Sequence, residues 1–214
     1  MKGLDPIATG GADGAKGLSH SRKSAKKRDA ILRAAIEIIN VKSFALATMS
    51  EIAGALDLRD GALYYYFPSK QALAYACHLQ SLERFERMLI AADQEGRCGG
   101  AKLQHLLRDF LFDSEENGPQ LYFGDLSYLT DAQRDEVWTW GQALTGRLER
   151  FVREGIADGS IVPCEPVLVV QLLLGMLIWL AKWVPAVEGV TPERLMAAIG
   201  VVSLTGLAPR GRPT

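Results

Sequence analysis

The chain of 214 residues is 48% hydrophobic and 23% charged, long enough to bury one large core or two smaller ones. A formal charge of -1 excludes a protein that is basic throughout, yet the average conceals a polarity. Residues 19–76 hold nine Lys or Arg against five acids and residues 77–214 hold thirteen against eighteen, so only the first third is built to meet a polyanion.

In chain order, residues 1–18 are rich in Gly and Ala without apolar periodicity and read as a disordered tail. The run SHSRKSAKKR follows, placing Arg22, Lys23, Lys26, Lys27 and Arg28 together with no acid. Such a run is ordinarily a solvated helix face; its place just ahead of a helix-turn-helix argues for an arm on DNA phosphates. From about Ser24 to Asn40 the residues Ala30, Ile31, Ala34, Ala35, Ile38 and Ile39 recur at three and four positions, which predicts the first helix. Thr48 with Glu51 three residues on forms a capping box that opens a short second helix ending near Leu56. The chain must turn sharply at Asp57, and Arg59 or Asp60 opens a third helix, DGALYYYF, that Pro68 stops. There Leu63 and Phe67 face the core, leaving Asp60, Gly61, Tyr64 and Tyr65 on a face shaped to enter a major groove. Ser69 caps a long fourth helix over about Lys70 to Gln94.

Beyond the turn signals at 96–100, helical patterns run over about Ala101–Glu116, Pro119–Tyr128 and Asp131–Ala157. Gly159 and Pro163 break the chain, and helices over about Pro166–Val184 and Pro192–Thr205 close it, the last opened by a Thr191 cap. Nothing alternates at period two for long enough to predict a strand. The expected fold is all-α with about nine helices. The apolar stretch from Val167 to Ala181 falls short of the about 20 residues that a spanning helix needs, so it is read as a buried or interface helix and no membrane partner is expected. Cys77, Cys98 and Cys164 lack the close spacing of a zinc site and read as reduced thiols. No export signal is visible, so a cytoplasmic protein is expected. His20, His78 and His105 are scattered, with no nucleophile, metal or phosphate-binding arrangement, so neither catalytic residues nor a cofactor are expected.

The ordered set ILRAAIEII, TMSEIAGAL and GALYYYFPSKQAL, spanning about fifty contiguous residues, resembles the N-terminal pattern of the TetR family of transcriptional repressors. The resemblance implies a homodimer that binds a palindromic double-stranded operator and is released by a small-molecule effector. It implies a tail and basic arm over 1–22, a three-helix DNA-binding domain over 23–69, an effector-binding and dimerisation domain over 70–207, and a tail over 208–214. It places Thr48, Tyr64, Tyr66 and Lys70 at phosphates and Arg59, Ala62 and Tyr65 near bases. Asp57 and Ser43 depart from the pattern by standing where the family usually has Gly. Asp60 departs too, because a carboxylate near phosphate is unfavourable unless it reads a cytosine amino group or pairs with Arg59.

The resemblance further implies a four-helix dimer interface. Leu172, Gly175, Met176 and Trp179 form its stripe on the next-to-last helix, and Leu195 and Ile199 on the last helix join them. Phe85, Met88, His105, Phe110, Tyr122, Phe123, Trp138 and Trp179 are the candidate walls of an apolar effector pocket. The segments GIADGSIVP, LLLGMLIWLAKWVP and VTPERL resemble, more loosely, the C-terminal region of regulators of lipid and acyl-coenzyme A metabolism, which implies a fatty acyl or acyl-coenzyme A effector. Alternatives are an efflux regulator that answers aromatic compounds and a DNA-binding protein without an effector.

Overall fold

A computed structural model describes residues 12–121 and 124–201, with side chains from residue 23 onward. The fold is all-α, with eight α-helices, one short 3-10 turn and no strand among the described residues. The first three helices, α1 (Ala12–Lys42), α2 (Met49–Gly54) and α3 (Asp60–Tyr66), form a small head. The long α4 (Lys70–Glu95) leads into a larger body of α5 (Gly99–Asn117), α6 (Asp131–Asp158), α7 (Pro166–Trp183), the 3-10 turn Val184–Ala186 and α8 (Pro192–Ile199).

Two hydrophobic cores meet on α4. Leu73, Ala74 and Cys77 close the head core around Ile31, Ile36, Ile52 and Leu63, whereas Phe85, Leu89 and Ala92 enter the body core with Leu103, Val137 and Phe151. Full burial of each large aliphatic side chain contributes about 1.5–3 kcal/mol, so the head is sealed by the first turns of α4 and does not end at residue 69. In the body, α5 crosses α6 at glycine: a Cβ on Gly99 would lie 2.3 Å from the Phe151 carbonyl oxygen, so no larger residue fits there without moving backbone.

The predicted helix starts are observed with their caps. Thr48 Oγ1 accepts from the Glu51 amide at 3.2 Å while Glu51 accepts from the Thr48 amide at 3.1 Å, and Ser69 and Thr191 cap α4 and α8. Two boundaries differ from expectation. Helix α1 begins at Ala12, within the stretch read as a tail, whereas residues 1–11 of that tail lie outside the described residues. Helix α8 runs to Ile199 and the chain stays helical through residue 201, whereas the predicted helix beyond 201 and the tail over 208–214 also lie outside them.

The predicted helix over Pro119–Tyr128 does not form among the described residues. Gly118, at φ 78°, turns the chain out of α5. The following backbone groups are then bonded by side chains from elsewhere instead of by each other. Buried Arg84 donates to the Gly118 carbonyl at 2.8 Å, Asn40 Nδ2 donates to the Gln120 carbonyl at 2.8 Å, and the Leu121 amide donates to Ser81 Oγ at 2.9 Å. These bonds replace the i to i-4 ladder that a helix would need.

Candidate DNA interface and effector cavity

Helix α3 stands with Leu63 and Phe67 buried in the head and Asp60, Gly61, Tyr64 and Tyr65 exposed, Tyr65 at 81%. Ala62 and Tyr66 are half-buried, and the Tyr66 ring meets Tyr65 edge-on at 5.3 Å. Arg59 is exposed at the helix N-cap. The turn between α2 and α3 is a Schellman closure, in which the Leu58 amide donates to the Ala53 carbonyl at 2.9 Å and the Asp57 amide to Gly54 at 3.2 Å. It requires a left-handed residue, and Asp57 supplies it at φ 54°. Ser43, directly after α1, is the other non-glycine residue with positive φ among the described residues, at 76°. Both departures from the family glycine therefore fall where glycine's freedom would be used.

Asp60 acquires a structural reason. Its carboxylate accepts from Ser50 Oγ at 2.5 Å, which ties α3 to α2 and sets a negative charge at a helix N-terminus. Lys70 acquires a different role from the expected phosphate contact. Its ammonium donates to the carbonyls of Phe44 at 2.8 Å, Ala45 at 3.3 Å and Ala47 at 2.9 Å, and lies 4.4 Å from the Phe44 ring centre. An ammonium has three protons, so this inward arrangement uses all of them. Thr48 is exposed, but its hydroxyl donates to Glu51 Oε2 at 3.1 Å, and Glu51 also pairs with Lys42. Lys23 and Lys26 are exposed on α1 and Lys27 is half-buried, so they share one helix face. Arg22 lies in α1, with its side chain outside the described residues.

In the body, α4 to α8 and the segment after α5 enclose a cavity of about 370 Å³. Phe85, Phe110 and Trp138 line it. Met88 is buried in the body core without reaching the cavity, because its side of α4 packs on neighbouring helices. His105 is drawn to the surface of α5 beside Glu95, 3.3 Å away, and does not line the cavity. Trp179 points outward at 54% exposure, and Tyr122 and Phe123 lie outside the described residues. Sequence reasoning missed Ser81, Gln120, Leu121, Leu174 and Ile178. The signal for the α7 pair was present, since a helix apolar all round has an inner wall as well as an outer one.

The inner wall of α7 is Val170, Leu173, Leu177 and Leu180, buried in the protomer. Its outer face exposes Leu168 at 56%, Leu172 at 75% and Trp179, with Gly175 open and Met176 half-buried. Of the residues described, Pro166–Ala186 is the one stretch long and apolar enough to cross a membrane, with mean hydropathy 2.1. Leu195 and Ile199 do not share the outer face. Leu195 lines the cavity and Ile199 is 5% exposed within the body core, because the apolar side of α8 packs against α5.

The segment after α5 touches both regions. Pro119, Gln120 and Leu121 line the cavity, while Leu121 also packs into the head core and the Gln120 carbonyl holds Asn40 of α1. Further along, the Tyr128 ring stacks on Phe44 at 3.8 Å, its hydroxyl lies 2.8 Å from His78 Nε2, and its carbonyl accepts from Gln71. Burial holds the His78 imidazole well below its ordinary pKa of 6.5, at about 4, and pushes the Tyr128 phenol up.

A helix-turn-helix head on a hollow helical body is the architecture of a ligand-responsive transcriptional regulator. Residues 31–77 match the family model for bacterial regulatory proteins of the tetR family, and residues 98–207 match the tetracyclin repressor-like C-terminal domain. The chain belongs to the TetR family of DNA-binding transcription regulators. Among solved structures it is similar to the TetR family regulator PfmR from Thermus thermophilus, at TM-score 0.69 and 23% identity over 84% of this chain and 99% of that one. It is also similar to AibR in complex with isovaleryl coenzyme A and operator DNA, at TM-score 0.67 and 22% identity over 81% and 97%. A third is the fatty acid degradation regulator FadR from Bacillus halodurans, at TM-score 0.64 and 21% identity over 86% and 97%. No curated protein matches the chain.

Proposed function

We propose that this regulator is a repressor that binds a palindromic operator as a homodimer and leaves it when a largely apolar effector of the fatty acyl or acyl-coenzyme A class fills the cavity. The observation that carries the proposal is the segment Pro119–Leu121, which walls the cavity on one side and is bonded to α1 and the head core on the other. An effector that needs this wall displaced binds the DNA-incompetent state more tightly, and it shifts the equilibrium by that difference in affinity. The acyl class is supported by the apolar walls and by the names of two structural neighbours, one holding isovaleryl coenzyme A and operator DNA and one a fatty acid degradation regulator. The dimer is supported by the outer face of α7, an apolar stripe of the kind that marks interaction surfaces.

At the operator, Arg59, Gly61, Tyr64 and Tyr65 approach the major groove and Lys23, Lys26 and Lys27 hold phosphates. The test is selection of an operator from random duplexes, followed by titration of the complex with acyl-coenzyme A thioesters, fatty acids and compact aromatic drugs. Release by acyl-coenzyme A thioesters is expected, and Tyr65→Ala weakens operator binding by about 1–3 kcal/mol. Release by aromatic drugs alone overturns the acyl class, and failure to select any inverted repeat overturns the proposal.

A further inference from the structure

We infer that the cavity takes the uncharged, carbonyl-bearing part of its ligand, whose carbonyl oxygen the side-chain amide of Gln120 receives. The inference rests on the effector reading of the cavity and sharpens its chemistry. Among the described residues no Lys, Arg or His lines the cavity, and the one ionisable lining residue is Glu115, an exposed acid. A carboxylate brought into this space leaves water without gaining a counter-charge, which strongly disfavours it.

The neutral polar groups narrow the choice. Ser114 Oγ donates its proton to the Phe110 carbonyl at 2.7 Å and Thr145 Oγ1 to the Gly141 carbonyl at 2.9 Å, so both offer a ligand acceptors only. Gln142 and Gln171 also bring amides to the lining, but on exposed residues, and Gln120 differs in being a buried donor. Gln120 lines the cavity, and its buried Nε2 has no hydrogen-bond partner among the described residues, a donor whose unmade bond costs free energy until something fills it. A ketone, ester or thioester carbonyl supplies the missing acceptor without bringing charge, and its apolar chain meets Leu174, Leu177 and Ile178. The same residue's main-chain carbonyl accepts from Asn40 of α1 at 2.8 Å, so ligand capture occurs on a residue already bonded to the head.

The test uses the full chain and four probes of similar length: 2-nonanone, methyl octanoate, octanoate and nonane. Binding is read by tryptophan fluorescence, for which Trp138 at the cavity wall is the reporter. The ketone and ester bind roughly three- to tenfold tighter than nonane, the span of one net hydrogen bond, and octanoate at pH 7.5 binds weaker than either. Gln120→Met removes the ketone's advantage over nonane and leaves nonane binding unchanged. The ratio of ketone to octanoate in the unmodified protein tests the inference without any variant. Octanoate binding as tightly as 2-nonanone, or an undiminished ketone preference in Gln120→Met, overturns it. If all four probes bind alike, the carbonyl assignment falls and the cavity reading stands; if none binds, both fall.

Discussion

The head and the body solve opposite packing problems with the same secondary structure. In the head, Ile31, Ile52 and Leu63 are completely buried, and polar or charged side chains hold the connections, as Lys70 does on three carbonyls and Asp60 on Ser50. In the body, longer helices leave about 370 Å³ unfilled and expose an apolar stripe along α7. A filled, internally tied head presents a fixed surface to a fixed ligand, DNA. A hollow body has conformational alternatives to gain when something enters it. The difference assigns rigidity to recognition and compliance to regulation.

The sharpest way to break the comparison is at the outer face of α7. A Cβ at Gly175 meets nothing within 4 Å, so Gly175→Arg is compatible with the folded protomer yet places an unpaired charge in the proposed interface. A loss of about 3–5 kcal/mol of association is expected, giving folded monomers by light scattering, and an unchanged dimer refutes that interface.

The next test falls on the seam. His78 is neutral in the fold with a pKa of about 4, against 6.5 when unfolded, so the unfolded chain binds more protons between those values. Stability is full above pH 6.5 and falls as the pH drops toward 4, by up to about 3 kcal/mol. Chemical denaturation at pH 7 and at pH 4.5 measures it, and a flat profile in that window shows that His78 is not held neutral.

The two lysine classes in the head should then separate. Lys70→Met is expected to lower stability by about 2 kcal/mol, since it removes charge-assisted bonds to three carbonyls, and to leave the salt dependence of operator binding unchanged. Lys26→Ala should do the reverse, keeping stability and flattening the salt slope by about one. The smallest expected effect is at Ser43, where replacing a left-handed serine by glycine stabilises by about 1 kcal/mol, read as a raised melting temperature.

What was legible in the sequence was short-range. The Thr48–Glu51 box, the Ser69 and Thr191 caps and the two faces of α3 each depend on residues within one or two helical turns, and the sequence spells them out. What was illegible depends on partners far along the chain. The segment from Pro119 carries helical periodicity, but Asn40 and Ser81, 80 and 40 residues away from their partners, take its backbone groups. Lys70 carries the family's phosphate position, yet the loop that follows α1 holds its ammonium. Leu195 and Ile199 have the spacing of an interface, and only the packing of α8 on α5 shows that they turn inward. A cavity is an absence shared by several helices, so no local pattern encodes it.

Lys182, at the last turn of α7, donates to the main-chain carbonyl of Asn40 near the end of α1 at 2.5 Å. The helix that carries the proposed interface is thereby pinned to the helix that carries the head. In a dimer joined through α7, the distance between the two heads is gauged by that joint and is not left to a flexible tether. Such a protein measures its operator as callipers do: it should tolerate base changes inside the half-sites better than one base pair added between them, which would rotate one half-site away from its head by about a tenth of a helical turn.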